Sequence, residues 1–248
     1  MRDLILLQNL DMKIALIGYG KMGKIIERIA NERGHEITAV FNSSSPFSEN
    51  ISVEADVAIE FTRPDQVIKN IEIALKTKLP IVVGTTAWNE QLEHVKNMVN
   101  ASNGTLLYAS NFSLGVNIFQ RLTEELSRLI TPYAEYQLSI EETHHVQKLD
   151  APSGTAVSLA NAIIANHNEY QDWKLGPTED EKKIPIIAHR IPDVPGTHVV
   201  KATCSIDTIS LSHEAHNRDG FALGSILAAE FLLGKRGVFT MQDVLKLK

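Results

Sequence analysis

The sequence predicts an α/β protein: a doubly wound parallel sheet in the N-terminal part, joined to an α+β domain with a mostly open mixed sheet. Three observations predict it. Short apolar runs alternate with helix-period stretches over about residues 12–111. A glycine turn links the first run to the first helix. Beyond residue 111 the order changes to a long helix followed by alternating, strand-like runs. Runs that are apolar throughout belong to strands covered on both faces, as parallel sheets require. A length of 248 residues accommodates two modest domains, each with its own core.

The elements follow in order. From Met12, MKIALIGYGKMGKIIERIANERG reads as a strand at 14–17, a glycine turn, and a helix whose inner face carries Ile25, Ile26 and Ile29, stopped at Gly34. HEITAVFN is the second strand and DVAIEF, 56–61, the third. A turn at Arg63-Pro64-Asp65 opens a helix with Val67, Ile68, Ile71 and Leu75 on its apolar face. PIVVGTTAW reads as a buried strand, 90–98 as a helix, and TLLYASNFS as a further strand.

VNIFQRLTEELSRLI has the period of a long helix, AEYQLSIEETHH alternates as a half-buried strand does, and a turn at DAPSG leads into an apolar helix. A polar stretch, 166–183, is interrupted by Gly176-Pro177. Several strand-like runs separated by Pro and Gly occupy 184–216, and FALGSILAAEFLLG is a small-residue helix expected to pack back on the first unit. The expected division is 1–111 with 217–248 for one domain and 112–216 for the other.

Composition narrows the functional classes. Hydrophobic residues make up 44% and charged residues 22%, as in ordinary globular proteins, and the formal charge of -6 argues against nucleic-acid or acidic-membrane binding. Cys204 is the only cysteine, which excludes an internal disulfide and a zinc-thiolate cluster and suits a reducing, cytoplasmic setting. The opening MRDLILLQNLD is too short for a membrane span, and with a second methionine, Met12, just before the first strand it reads as either a start-site artefact or a loose extension, with no function assigned.

Gly18, Gly20 and Gly23 form G-x-G-x-x-G, with Lys21 and Met22 inside the turn. The motif follows a strand and opens a helix, the context in which glycines permit a tight turn and let a pyrophosphate approach the helix N-terminus. This marks the first domain as a dinucleotide-binding, Rossmann-type domain. The second strand ends in Asn42, Ser43 and Ser44 rather than the acid that holds a ribose 2′-hydroxyl. With Lys21 nearby, NADPH is favoured, and NADH stays open. HEAH, 213–216, has its histidines at i and i+3 rather than the i and i+4 of zinc metalloproteases, so no metal site is expected.

The glycine turn, together with the run from His144 to Ala156, HHVQKLDAPSGTA, resembles the 4-hydroxy-tetrahydrodipicolinate reductase family. Supporting pieces are IEFTRP (59–64), VGTTAW (83–88), ASNFSLGVN (109–117), PGTHVV (195–200) and FALGS (221–225). The resemblance implies NAD(P)H-dependent reduction of a cyclic dicarboxylate on the diaminopimelate route to lysine, in a protein assembled as a homotetramer through its substrate domains. It implies His144 as general acid and Lys148 as second proton donor or substrate cation. His145, Ser153, Gly154 and Thr155 would hold the substrate, with Arg218 reaching it from the far side of the substrate domain. Phe61, Thr62, Gly84, Thr85, Thr86, Ser110, Asn111 and Phe112 would line the nicotinamide and its ribose.

Physical chemistry agrees with that implication. An imidazole gives up a proton near neutral pH, and a helix beginning at Ser153 offers free N–H groups to a carboxylate. Closure of the two domains on the reactants is expected. The sequence departs from many members in its shorter glycine turn, which carries lysine instead of arginine, and in lacking an acid followed by arginine after the second strand. Arg190 and His198 read as surface or interface features. Rival readings are a dehydrogenase for another small amino or imino dicarboxylate and a catalytically silent nucleotide sensor.

Overall fold

The computed structural model describes residues 11–50 and 53–246, so most of the N-terminal segment expected to be a loose extension lies outside the described residues. The chain divides into two compact units, Met1–Leu114 with Arg218–Lys248, and Gly115–Asn217.

In the first unit β1 (Lys13–Ile17) leads through the glycine turn to α1 (Lys21–Glu32), then β2 (Glu36–Phe41), β3 (Val57–Glu60), α2 (Pro64–Lys76), β4 (Ile81–Val83), α3 (Leu92–Ser102) and β5 (Thr105–Tyr108). Alternation within β1 explains the double winding. Ile14 and Leu16 enter one apolar cluster with Ile26 of α1, while Ala15 and Ile17 enter the other with Val67 and Ile71 of α2. β4 is shorter than expected, because after Val83 the segment GTTAW leaves the ladder.

The second unit opens with α4 (Leu114–Ile130) and continues through β6 (Gln137–His144), α5 (Gly154–Asn166), β7 (Asp172–Leu175), β8 (Lys183–Arg190), β9 (Gly196–Thr203) and β10 (Thr208–Ala215). Its five strands lie in the order β10-β9-β6-β8-β7, with β6, β8 and β7 parallel to one another and β9 antiparallel to both β6 and β10. The apolar core lies between this sheet and α4 and α5, where Phe119, Leu126, Leu159 and Ile163 meet Leu138, Ile140, Ile186 and Val200. β7 falls inside the stretch read as polar. It is an edge strand held by backbone pairing to β8, with Trp173 its contribution to the core, so no apolar run announces it.

The chain then returns to the first unit as α6 (Asp219–Leu232), β11 (Gly237–Phe239) and α7 (Met241–Leu245). β11 joins the parallel sheet beside β5, giving the order β11-β5-β4-β3-β1-β2. A three-residue strand and a five-residue helix leave too little periodicity to be read from sequence. Glu230 of α6 accepts from Arg33 at 2.7 Å and lies 2.8 Å from His35 Nε2, tying the returning helix to the end of α1.

Small residues let α6 lie close to the sheet. A Cβ at Gly224 would stand 1.8 Å from the Phe112 carbonyl oxygen, a contact that only backbone movement relieves. Gly224→Ala is therefore expected to destabilise the protein by roughly 1–3 kcal/mol, the usual cost of overpacking a tight contact. Urea unfolding followed by circular dichroism measures this, and an unchanged midpoint would show that α6 can shift freely.

Candidate active site

In the first unit β1 stands between β2 and β3, so the chain winds away from it on both sides. Ligands in such sheets bind outside the C-terminal strand ends at this switch point. Gly18 has φ +101, and a Cβ there would lie 2.0 Å from the Phe61 carbonyl oxygen, so this turn admits only glycine. At Gly23 a Cβ would lie 2.3 Å from the Gly18 carbonyl oxygen, which holds α1 tightly against the turn. Gly20 is the opposite case: among the described residues nothing lies within 4 Å of its Cβ position. It is the N-cap of α1, with no side-chain cap hydrogen bond and no acidic residue in the first turn, where Lys21 and Met22 stand. An open helix end with uncapped N–H groups fits a dinucleotide diphosphate.

The other nucleotide candidates group at neighbouring strand ends. The Phe61 ring lies over Gly84, where a Cβ would come within 2.2 Å of it, and sits 5.8 Å from the Phe112 ring. The Thr62 N–H donates to Thr85 Oγ1 at 2.8 Å, tying the ends of β3 and β4 together. Thr85, Thr86 and Ser110 line a small cavity with Trp88 and Tyr108. Asn111 uses its side-chain oxygen to accept from the Ser113 N–H at 2.9 Å.

Asn42 and Ser43 are exposed after β2, in a turn closed by Asn42 Oδ1 accepting from the N–H groups of Ser44 and Ser45 at 2.9 and 3.0 Å. Sequence reasoning passed over Glu60, the last residue of β3, which is fully buried and receives hydrogen bonds from Thr62 and Asn70. Burial pushes its carboxyl pKa up, against those hydrogen bonds.

The second unit carries the acid–base groups. Alternation along β6 buries Leu138, Ile140, Glu142 and His144 on one face, so the core stripe turns polar at its end. The neighbouring strands do likewise. Register sets Glu142 beside His198 of β9 and His144 beside Arg190 of β8. Ser153 caps α5, accepting from the Ala156 N–H at 3.2 Å, and its own N–H donates to both Glu142 oxygens at 3.1 and 3.0 Å. Gly154 and Thr155 form the first turn of α5.

Arg190 Nη2 donates to Glu142 Oε1 at 3.2 Å and to the Asp150 carbonyl at 2.6 Å, while Nε donates to the Lys148 carbonyl at 3.3 Å. The loop after β6 is thereby fastened to the sheet. Lys148 Nζ lies 2.8 Å from Asp150, holding that carboxyl below its usual range. His145 is half-buried just past the strand end.

Arg190 and His198 are thus part of this cluster, contrary to their reading as surface or interface features. His198 is 5% exposed, and its Nε2 stands 3.1 Å from Ser153 Oγ. The signal was present in the sequence as i, i+2 alternation, which carries the inward faces of β6 and β9 into polar residues. Arg218 occupies the N-cap position of α6 and clusters with the first unit.

Burial pushes the His198 pKa down to about 3, reinforced by His144, His213 and Lys148. Burial also lowers His144, where Glu142 works in the opposite direction. Glu142, His144 and His198 bring ligand-type atoms within 4.8 Å of one another. With a guanidinium already directed at the same carboxylate, the cluster suits proton transfer better than cation binding. HEAH begins on β10, so successive side chains of His213 and Glu214 point to opposite faces.

A nucleotide cradle at the strand ends of a doubly wound sheet, in a chain whose second unit bears a histidine near the Ser153-capped start of a helix, defines a dinucleotide-dependent oxidoreductase. Residues 12–112 match the family described as dihydrodipicolinate reductase, N-terminus, and residues 115–245 match dihydrodipicolinate reductase, C-terminus. The chain belongs to the dihydrodipicolinate reductase family. It is 44% identical over 94% of its length to 4-hydroxy-tetrahydrodipicolinate reductase of Christiangramia forsetii, covering 98% of that protein. It is 36% identical over 92% of its length to the enzyme of the same name from Rickettsia rickettsii, covering 96% of it. A dipicolinate-bound dihydrodipicolinate reductase from Paenisporosarcina sp. TG-14 shares the fold, with a TM-score of 0.75 at 22% identity over 94% of this chain and 99% of that one.

A histidine held neutral in the fold binds fewer protons than in the unfolded chain at pH values between its two pKa values. His198 therefore withdraws stability as pH falls from about 6.5 towards about 3. His198→Gln is expected to flatten the acid side of the melting-temperature profile. Thermal melts across that range test this, and parallel profiles for the two proteins would contradict it.

Proposed function

We propose that this protein catalyses the NAD(P)H-dependent reduction of 4-hydroxy-tetrahydrodipicolinate to tetrahydrodipicolinate, in the diaminopimelate route to lysine. The carrying observation is His144 at the end of β6, 3.5 Å from the Glu142 carboxylate that accepts from the Ser153 N–H at the start of α5, in a chain of this family. In the overall change the ring hydroxyl leaves as water with a hydrogen from the neighbouring ring carbon, and a hydride and a proton are added across the double bond so formed.

The bound nicotinamide cofactor supplies the hydride. Gly18, Gly20, Lys21, Met22 and Gly23 would hold its diphosphate, with Phe61, Thr62, Gly84, Thr85, Thr86, Ser110, Asn111 and Phe112 along the nicotinamide end. Asn42 and Ser43 would face the adenosine ribose. An exposed, carboxylate-free turn there does not repel a 2′-phosphate, which supports acceptance of NADPH beside NADH.

On the second unit the backbone N–H groups of Gly154 and Thr155 would receive a substrate carboxylate, assisted by the partial positive charge of the α5 N-terminus. His144 would donate the proton, with Lys148 neutralising or protonating the substrate and His145 contacting it. Arg218 is retained as a substrate ligand on the resemblance alone. A homotetramer in the cytoplasm fits this reading. Ile206 is 89% exposed beside β10, and Ile209 on that strand is 40% exposed, an apolar edge suited to self-association.

The test is loss of nicotinamide absorbance with substrate generated in situ by condensation of pyruvate with aspartate semialdehyde. Substrate-dependent oxidation is expected with both nucleotides. None with either, in folded nucleotide-bound protein, would overturn the reading. His144→Gln should lower kcat by roughly 10²–10⁴-fold, the usual range for a general acid, with little change in KM. Lys148→Ala should lower kcat and raise KM together. A His144→Gln enzyme with undiminished turnover would remove His144 from the proton-donor role.

A further inference from the structure

Glu142 has no exposed side-chain surface, yet it ends a stripe of apolar residues. A buried carboxylate is costly unless several groups compensate it. Here the compensation comes from Arg190 on β8 and from the Ser153 N–H at the start of α5, while the rings of His198 on β9, 3.8 Å away, and His144 two residues along β6, 3.5 Å away, stand against the same carboxylate. The groups it joins are the two on which the proposed reaction depends.

We propose that Glu142 is the positioning residue of this site, one carboxylate that sets both the His144 imidazole and the substrate-binding N-terminus of α5. The inference rests on the reductase reading given above. His144 turns Nδ1 inward to Glu142 Oε2, at an ion-pair distance but without hydrogen-bond alignment, so the coupling is electrostatic. Gly196 of β9 packs on the other side of the ring, where a Cβ would stand 3.0 Å from Nε2. His198 closes the third side edge-on, with ring centroids 5.0 Å apart. With Nδ1 facing the carboxylate, Nε2 is the nitrogen that delivers the proton, and the neutral ring left behind keeps its remaining hydrogen on Nδ1. The same carboxylate accepts from the Ser153 N–H and so fixes where α5 begins, at Gly154.

The charges facing His144 predict the pH behaviour. Burial lowers its pKa, Glu142 raises it, Lys148 and Arg190 lower it, and Asp150 raises it; His198 is neutral, and His213 beyond it is also lowered by burial. A donor must be protonated, so kcat/KM falls as pH rises through the His144 pKa. Removing the Glu142 charge should move that falling limb to lower pH. Removing the Arg190 charge should move it to higher pH.

The experiment measures kcat, KM and the kcat/KM–pH profile for wild type, Glu142→Gln, Glu142→Asp and Arg190→Gln, with thermal melts as the folding control. The expected result is a drop in kcat of roughly tenfold or more for Glu142→Gln at neutral pH, within the range by which a positioned acid contributes. Its limb should shift to lower pH, Glu142→Asp should restore much of the loss, and the Arg190→Gln limb should shift the opposite way. A residue of merely structural importance would change the melt and the amplitude and leave both limbs in place, and that outcome would overturn the proposal.

Should Glu142→Gln not fold, the Arg190→Gln limb decides: movement to higher pH supports the proposal, and no movement rejects it. An inactive wild type would instead reject the reductase reading. In that case an NMR titration of the His144 ring in wild type and Arg190→Gln still tests the coupling.

Discussion

The second unit is organised around a carboxylate held away from water. Glu142 lies where the apolar faces of β6, β8 and β9 give way to polar residues, and it is compensated by Arg190 of β8 and by the Ser153 N–H at the start of α5. A charge so placed is tolerated only while all its partners stay in position. Sheet register, the start of α5 and the course of the loop after β6 are therefore mutually dependent. Arg190 extends the dependence to Lys148 and Asp150 through their carbonyl groups, so the loop that presents His145 and Lys148 is fastened to the same point.

The first unit reaches its precision by a different route, through the absence of side chains. At Gly18, Gly23, Gly84 and Gly224 the space a Cβ would fill is already occupied by a carbonyl oxygen or an aromatic ring. These close approaches bring the ends of β1, β3, β4 and β5 together, where Thr62 and Thr85 link adjacent strand ends. Gly20 alone among the motif glycines faces open space, and it stands at the uncapped end of α1. Within one short motif, two glycines serve packing and one keeps the approach to the helix end clear.

Much of this was legible before any coordinates. The apolar runs of β1 and β3 and the helix periods of α1, α2 and α4 are long enough to show which face each buries. HHVQKLDAPSG shows two histidines, a lysine and the start of a helix that Ser153 caps. Less legible were elements whose stability is not their own. β7 and β11 are short edge strands that exist by pairing with β8 and β5, and α7 spans only five residues. Arg190 and His198 sit far along the chain from His144, in strands whose alternation was visible but whose partners were not.

The sequence by itself determined the fold class, the glycine turn and the capped start of α5, because these follow from periodicity, from steric limits on glycine turns and from capping residue types. Only the tertiary structure decided that Glu142 is the hub, that His198 is buried and neutral, and that Arg190 holds the loop after β6. Those properties arise from strand register, which brings residues tens of positions apart into one water-free space. A residue's charge state there depends on neighbours that the linear order does not reveal.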